Sequence, residues 1–141
     1  MTLDEIKKTV TSKGVFPLYC LHGENSFAIE AAVNYITETF LSKKPDDDDL
    51  ICFDGQIHKV SLILEAVMTP PLFSDKKVVV VKRAHYIDEK QKPLLYKYIE
   101  SPSKNCCLIL TAEKNPLKTA QQKTFKKKGL EINTVSYTHL T

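Results

Sequence analysis

A chain of 141 residues with 43% hydrophobic and 26% charged residues has ordinary globular composition and length for one stable core. Its formal net charge of +3 demands neither a nucleic-acid nor a membrane partner, and no apolar run approaches the ~20 residues that span a bilayer. The acidic opening Met1-Thr2-Leu3-Asp4-Glu5 is the opposite of a secretory signal, so the expected setting is the cytoplasm.

Thr2-Leu3-Asp4-Glu5 is a capping box and predicts a helix over the first dozen residues, ended by Gly14. Leu18-Tyr19-Cys20-Leu21 reads as a short buried strand entered through Pro17. After His22-Gly23-Glu24-Asn25, the residues Ile29, Val33, Ile36 and Phe40 recur at helical spacing beside Ala32, with Ser26 as the expected cap. Lys43-Lys44-Pro45 stops this helix, and Asp46 to Asp49 are expected to form a solvated acidic turn. Leu50-Ile51-Cys52-Phe53 is a second strand, closed by Asp54-Gly55.

Val60, Ile63, Leu64 and Val67 give an amphipathic helix, broken at Thr69-Pro70-Pro71 because proline lacks an amide donor. The uninterrupted run Val78-Val79-Val80-Val81 suits a strand covered on both faces, as in a parallel sheet. Leu94, Leu95, Tyr98 and Ile99 mark a further helix ending at Ser101-Pro102. Cys106 to Leu110 form a fourth strand, a lysine-rich helix or loop runs to Gly129, and Leu130-Glu131-Ile132 starts a fifth strand. Strands alternating with helices predict one α/β domain on a largely parallel sheet.

The four cysteines include no C-x-x-C pair, which argues against zinc and for a reduced cytosolic protein. Cys106 and Cys107 are neighbours expected to point to opposite sides of their strand. The tail Val135-Ser136-Tyr137-Thr138-His139-Leu140-Thr141 resembles translated sequencing-adapter read-through, although a natural end to the fifth strand is the alternative. Residues 135–141 are therefore set aside from functional argument, and the natural protein is expected to continue with further domains.

A phosphate-binding loop would sit after the first strand, where successive glycine amides cradle phosphate and a Lys-Ser/Thr pair completes the site. Gly23-Glu24-Asn25-Ser26-Phe27-Ala28-Ile29 lacks the second glycine and the lysine, and Glu24 would repel phosphate. No histidine, serine or cysteine belongs to a nucleophile motif, and the Asp46–Asp49 run lacks the spaced ligands of a calcium loop. His85-Tyr86 at a strand end reads as a satisfied surface histidine, with a functional role as the alternative. No cofactor, metal or catalytic residue is expected.

Leu72 and Phe73 are the other notable feature: two large apolar side chains between Pro70-Pro71 and Ser74-Asp75-Lys76-Lys77. Composition alone places them in the core as a plug over the sheet edge; exposed, they would mark an interaction site. Here the sequence resembles the bacterial DNA polymerase III delta subunit, a clamp-loader component. The resemblance rests on three stretches in order: Pro17 to Glu30, Thr69 to Lys82, and Leu94 to Pro102 with the Cys106–Thr111 strand and Lys114. One departure is Lys76-Lys77, where the family usually carries arginine.

The resemblance implies a parallel-sheet, RecA-like/AAA+-type P-loop fold that has lost its ATP site, over residues 1–134. It implies that Leu72 and Phe73, flanked by Pro71 and Ser74, insert into a pocket on the sliding clamp (the beta subunit) and help open its ring. Other clamp-loader subunits would be met through the carboxy-terminal domains missing here, and primed DNA only indirectly. Two other readings stay open. A basic nucleic-acid-binding module would use Lys126, Lys127 and Lys128, with Lys114, Lys118 and Lys123 nearby. A degenerate P-loop enzyme would bind nucleotide near Ser26.

Overall fold

The computed structural model describes residues 3–13, 16–46, 48–71 and 74–133. Its elements are α1 (Leu3–Lys13), β1 (Leu18–His22), α2 (Ser26–Leu41), β2 (Leu50–Asp54), α3 (Val60–Met68), β3 (Lys77–Lys82), α4 (Lys92–Glu100), β4 (Cys106–Ala112), α5 (Thr119–Lys128) and β5 (Leu130–Asn133). A single 3₁₀ turn, Ala84–Tyr86, follows β3. The expected elements are all present, in the expected order.

The strands form one sheet in the order β2-β3-β4-β1-β5, and every pairing is parallel. The inner strands β1, β3 and β4 read as continuous apolar runs because helices cover both faces. Alternate residues divide between two cores. Leu18, Cys20, Val79, Val81, Leu108 and Leu110 meet α3, α4 and α5 through Ile63, Ile99 and Phe125. Tyr19, Leu21, Val78, Val80, Ile109 and Ile132 meet α1 and α2 through Ile6, Ile29 and Ile36. Cys106 joins the first core and Cys107 the second, as their adjacency required. Burial pushes the Cys106 thiol up to about 12, and Cys107 is also raised by burial, so both are inert apolar groups.

This layering fixes the two ends of the sheet. From β1 the chain leaves over one face through α2 to the far edge strand β2. From β4 it leaves over the other face through α5 and passes β1 to reach β5. The strand order therefore reverses between β1 and β4, where doubly covered sheets open a crevice at the carboxyl ends of the strands. Chain closure is tight at the opposite end: a Cβ on Gly129 would lie 2.5 Å from the Leu18 carbonyl oxygen, so only glycine fits unshifted.

Candidate functional site

At the carboxyl edge, only Gly23, Glu24 and Asn25 separate β1 from α2. Gly23 takes φ 135°, in the left-handed half of backbone space, and its amide donates to the Ala112 carbonyl at 3.1 Å. The Ser26 amide donates to the Glu24 carbonyl at 3.1 Å, and the Ala28 amide to Asn25 Oδ1 at 3.0 Å. The expected Ser26 cap is thus corrected: Asn25 caps α2, and Ser26 is already its first helical residue. A phosphate cradle needs these amides aimed outward from a longer loop, and here they are turned onto the chain itself.

The crevice itself measures about 550 Å³ and is bordered by Glu30 and Val33 of α2, Cys52 of β2, Lys82 of β3 and Thr111 of β4. A magnesium-bound nucleotide asks for a carboxylate at a strand end. Instead β3 ends in two cations. Lys82 lies 3.7 Å from Glu30, and Arg83, in a left-handed conformation at φ 53°, turns its guanidinium onto both carboxylate oxygens of Asp54. Hydrogen bonding from Arg83 holds the Asp54 carboxyl below its ordinary range. The backbone packs closely at this corner: a Cβ added to Gly55 would sit 2.5 Å from the Arg83 carbonyl oxygen. His85 is half-buried against Tyr86, with ring centroids 4.4 Å apart, and its Nδ1 meets no partner among the described residues.

The amino edge is built differently. The connection from α3 to β3 leaves the helix at Thr69, whose amide and hydroxyl donate to the Glu65 carbonyl at 3.0 and 2.6 Å. Pro70 is exposed and Pro71 half-buried; Leu72 and Phe73 lie outside the described residues. The chain is fixed again at Ser74, whose Oγ lies 2.8 Å from Asp49 Oδ1 and 2.9 Å from the Lys76 carbonyl. Asp49 is only 2% exposed. Its other oxygen pairs with Lys43 Nζ at 2.8 Å, and its carbonyl accepts the Val78 amide at 2.7 Å. Hydrogen bonds from Lys43 and then Ser74 lower the Asp49 carboxyl to about 2.

The acidic turn therefore needs a second correction. Asp46 and Asp48 are exposed as expected, but Asp49 is turned inward and ties β2 to the connection. Sequence reasoning also missed Lys77, the first residue of β3. It is 5% exposed, and its Nζ donates to the carbonyls of Ala66 at 2.7 Å and Thr69 at 3.1 Å. A cation at the negative end of a helix is favourable there, and the carbonyls offset its desolvation. Lys76, by contrast, is exposed, with its ammonium 5.3 Å from the Phe40 ring centre.

Of the basic stretch, Lys123 and Lys127 on α5 and the preceding Lys114 and Lys118 are exposed. Lys118 Nζ lies 3.5 Å from Glu89, and Lys128 donates to the Glu100 carbonyl. The side chain of Lys126 lies outside the described ones. No three His, Cys, Asp or Glu side chains among the described residues converge as metal ligands, and no described helix is long and apolar enough to cross a membrane.

Residues 19–135 match the family model for the DNA polymerase III delta subunit. The chain is 24% identical to the DNA polymerase III subunit delta of Bacillus subtilis, over 97% of this chain and 44% of that protein, so it spans less than half of that relative's length. Its fold superimposes on a B. subtilis DNA clamp loader delta protein with a TM-score of 0.78 at 22% identity, covering 95% of this chain and 42% of the other. A Thermotoga maritima protein related to the DNA polymerase III gamma subunit gives a TM-score of 0.68 at 15% identity, over 95% of this chain and 46% of that one. The T. maritima RuvB branch migration motor gives 0.58 at 13%, over 94% and 42%. These likenesses show an AAA+-type fold, in which the turn after β1 here lacks the second glycine and the lysine of a phosphate loop.

Proposed function

Since the chain belongs to the DNA polymerase III delta subunit family, we propose that it is the clamp-binding portion of a clamp-loader delta subunit, acting in DNA replication through Leu72 and Phe73. The observation that carries this reading is the family match across residues 19–135, a span that contains the whole α3–β3 connection. The two edges of the sheet support it. The carboxyl edge has its helix amides capped and its strand end occupied by cations, which suits a subunit that binds rather than hydrolyses. The amino edge carries a short connection with a polar anchor on each side of the Leu–Phe pair.

The action is mechanical. Two large apolar side chains entering a pocket contribute about 3–6 kcal/mol of transfer free energy before association costs. A ring that offers this pocket better when open is shifted towards opening, with no nucleotide used by this chain. Timing would then belong to ATP-hydrolysing subunits contacted through further domains, with primed DNA met indirectly, in the cytoplasm.

The test is binding of the 141-residue chain to a bacterial sliding clamp, read by calorimetry, with Leu72→Ala/Phe73→Ala as the decisive variant. An affinity loss of about 100-fold or more with an unchanged unfolding midpoint supports the reading. Unchanged affinity in a folded double variant ends it. Affinity for DNA that falls steeply with salt, and is lost on neutralising Lys126, Lys127 and Lys128, would instead favour the basic nucleic-acid-binding module.

A further inference from the structure

We propose that Lys77 and the Ser74–Asp49 pair are positioning residues, which fix the two ends of the α3–β3 connection and so raise its affinity for the clamp. The inference rests on the clamp-binding reading above and adds to it the groups that hold the binding element. Lys77 joins the start of β3 to the end of α3 through the Ala66 and Thr69 carbonyls, drawing the two ends of the connection onto one ammonium. Ser74 and Asp49 join the connection to the start of β2, and Lys43 extends this tie to the end of α2.

Stability alone does not require an ammonium at Lys77, even one whose desolvation its two carbonyls offset. The four residues after it are valines with at most 1% exposure. A buried ammonium is commonly no better for stability than an apolar residue of similar size, yet it fixes direction and distance to its acceptors. Fixed geometry matters where a short segment must present apolar side chains, because ordering such a segment on binding subtracts from affinity. Asp49 behaves alike: of the described acids between residues 46 and 49, it alone is buried, and it faces the hydroxyl that follows the apolar pair.

The experiment measures clamp affinity for Lys77→Met, Lys77→Arg and Ser74→Ala, each in the native chain and in the Leu72→Ala/Phe73→Ala background. Lys77→Met is expected to weaken binding about tenfold and Ser74→Ala about threefold, with both effects absent once the apolar pair is gone. Lys77→Arg keeps a cation and donors for the same carbonyls and should recover most of the loss. In the free protein, hydrogen exchange at the Thr69 and Val78 amides, which donate to the Glu65 and Asp49 carbonyls, should quicken in the loss variants while Val79 to Val81 stay protected. Ser74→Ala leaves the core untouched and keeps the test available if Lys77→Met does not fold.

If removing Leu72 and Phe73 weakens binding but the Lys77 and Ser74 variants do not, clamp binding stands and the positioning role is overturned. The role is also overturned if those variants weaken both backgrounds equally, or if Lys77→Arg behaves like Lys77→Met. If the double variant binds normally, the functional reading falls and this inference with it.

Discussion

The two edges of the sheet use the same kinds of residue to opposite ends. At the carboxyl edge, polar side chains around the crevice are paired locally: Arg83 is spent on Asp54, Lys82 lies near Glu30, and Asn25 covers a helix amide. At the amino edge, Lys77, Ser74 and Asp49 hold a connection in place from both sides. Open α/β sheets ordinarily bind ligands at the first of these edges. The difference teaches that polar groups of the same kinds can be spent on one another around a crevice at one edge and on fixing a connection at the other.

The largest expected effect separates the edges outright. Leu72→Ala/Phe73→Ala should reduce clamp affinity by about 100-fold or more, whereas Asn25→Ala at the other edge should leave it unchanged. Gly55→Ala tests how tightly the carboxyl edge is sealed. A Cβ there meets the Arg83 carbonyl at 2.5 Å, so overpacking should destabilise the protein by about 1–3 kcal/mol in urea unfolding, again without loss of clamp affinity. Asn25→Ala should cost about 1 kcal/mol, the usual worth of a helix cap, by the same measurement. A nucleotide bound measurably by Asn25→Ala but not by the native chain would show that capping, and not loop length, sets nucleotide affinity at this turn.

The smallest effect is in the acid limb of stability. The folded Asp49 carboxyl is lowered from 3.8 to about 2 by Lys43 and Ser74. A depressed carboxylate contributes stability that is full above its unfolded value and is lost as pH falls through the folded one. Native stability should therefore decline between about pH 4 and pH 2, and Asp49→Asn should flatten part of that decline. Asp54 and Glu89 are depressed in the same direction and keep the remainder. Urea midpoints across this range, compared between the two proteins, provide the check.

Much of the fold was legible because burial writes itself into local pattern. Val78 to Val81 announced a strand covered on both faces, and Ile29, Ile36 and Phe40 announced the buried stripe of α2. The short turn after β1 was legible too, since Gly23 to Ile29 lacks the second glycine and the lysine that a phosphate loop requires. The working details of the amino edge were not. Asp49 stands in a run of four aspartates, and nothing local distinguishes it; its partner Ser74 is 25 positions away. Lys77 is one of two adjacent lysines, and only the place where α3 ends decides which of them is buried. The choice between Asn25 and Ser26 as cap likewise turned on backbone angles that either residue type allows.

By itself the sequence determined the kind and order of the elements and the loss of the nucleotide loop, because both depend on residue type at short spacing. Its resemblance to the delta family singled out Leu72 and Phe73. Tertiary structure alone decided the strand order and which charges go inside. Those depend on pairings between residues that meet only when α2, α3 and the sheet have packed, where a carboxylate or an ammonium is tolerated only beside the few groups able to satisfy it.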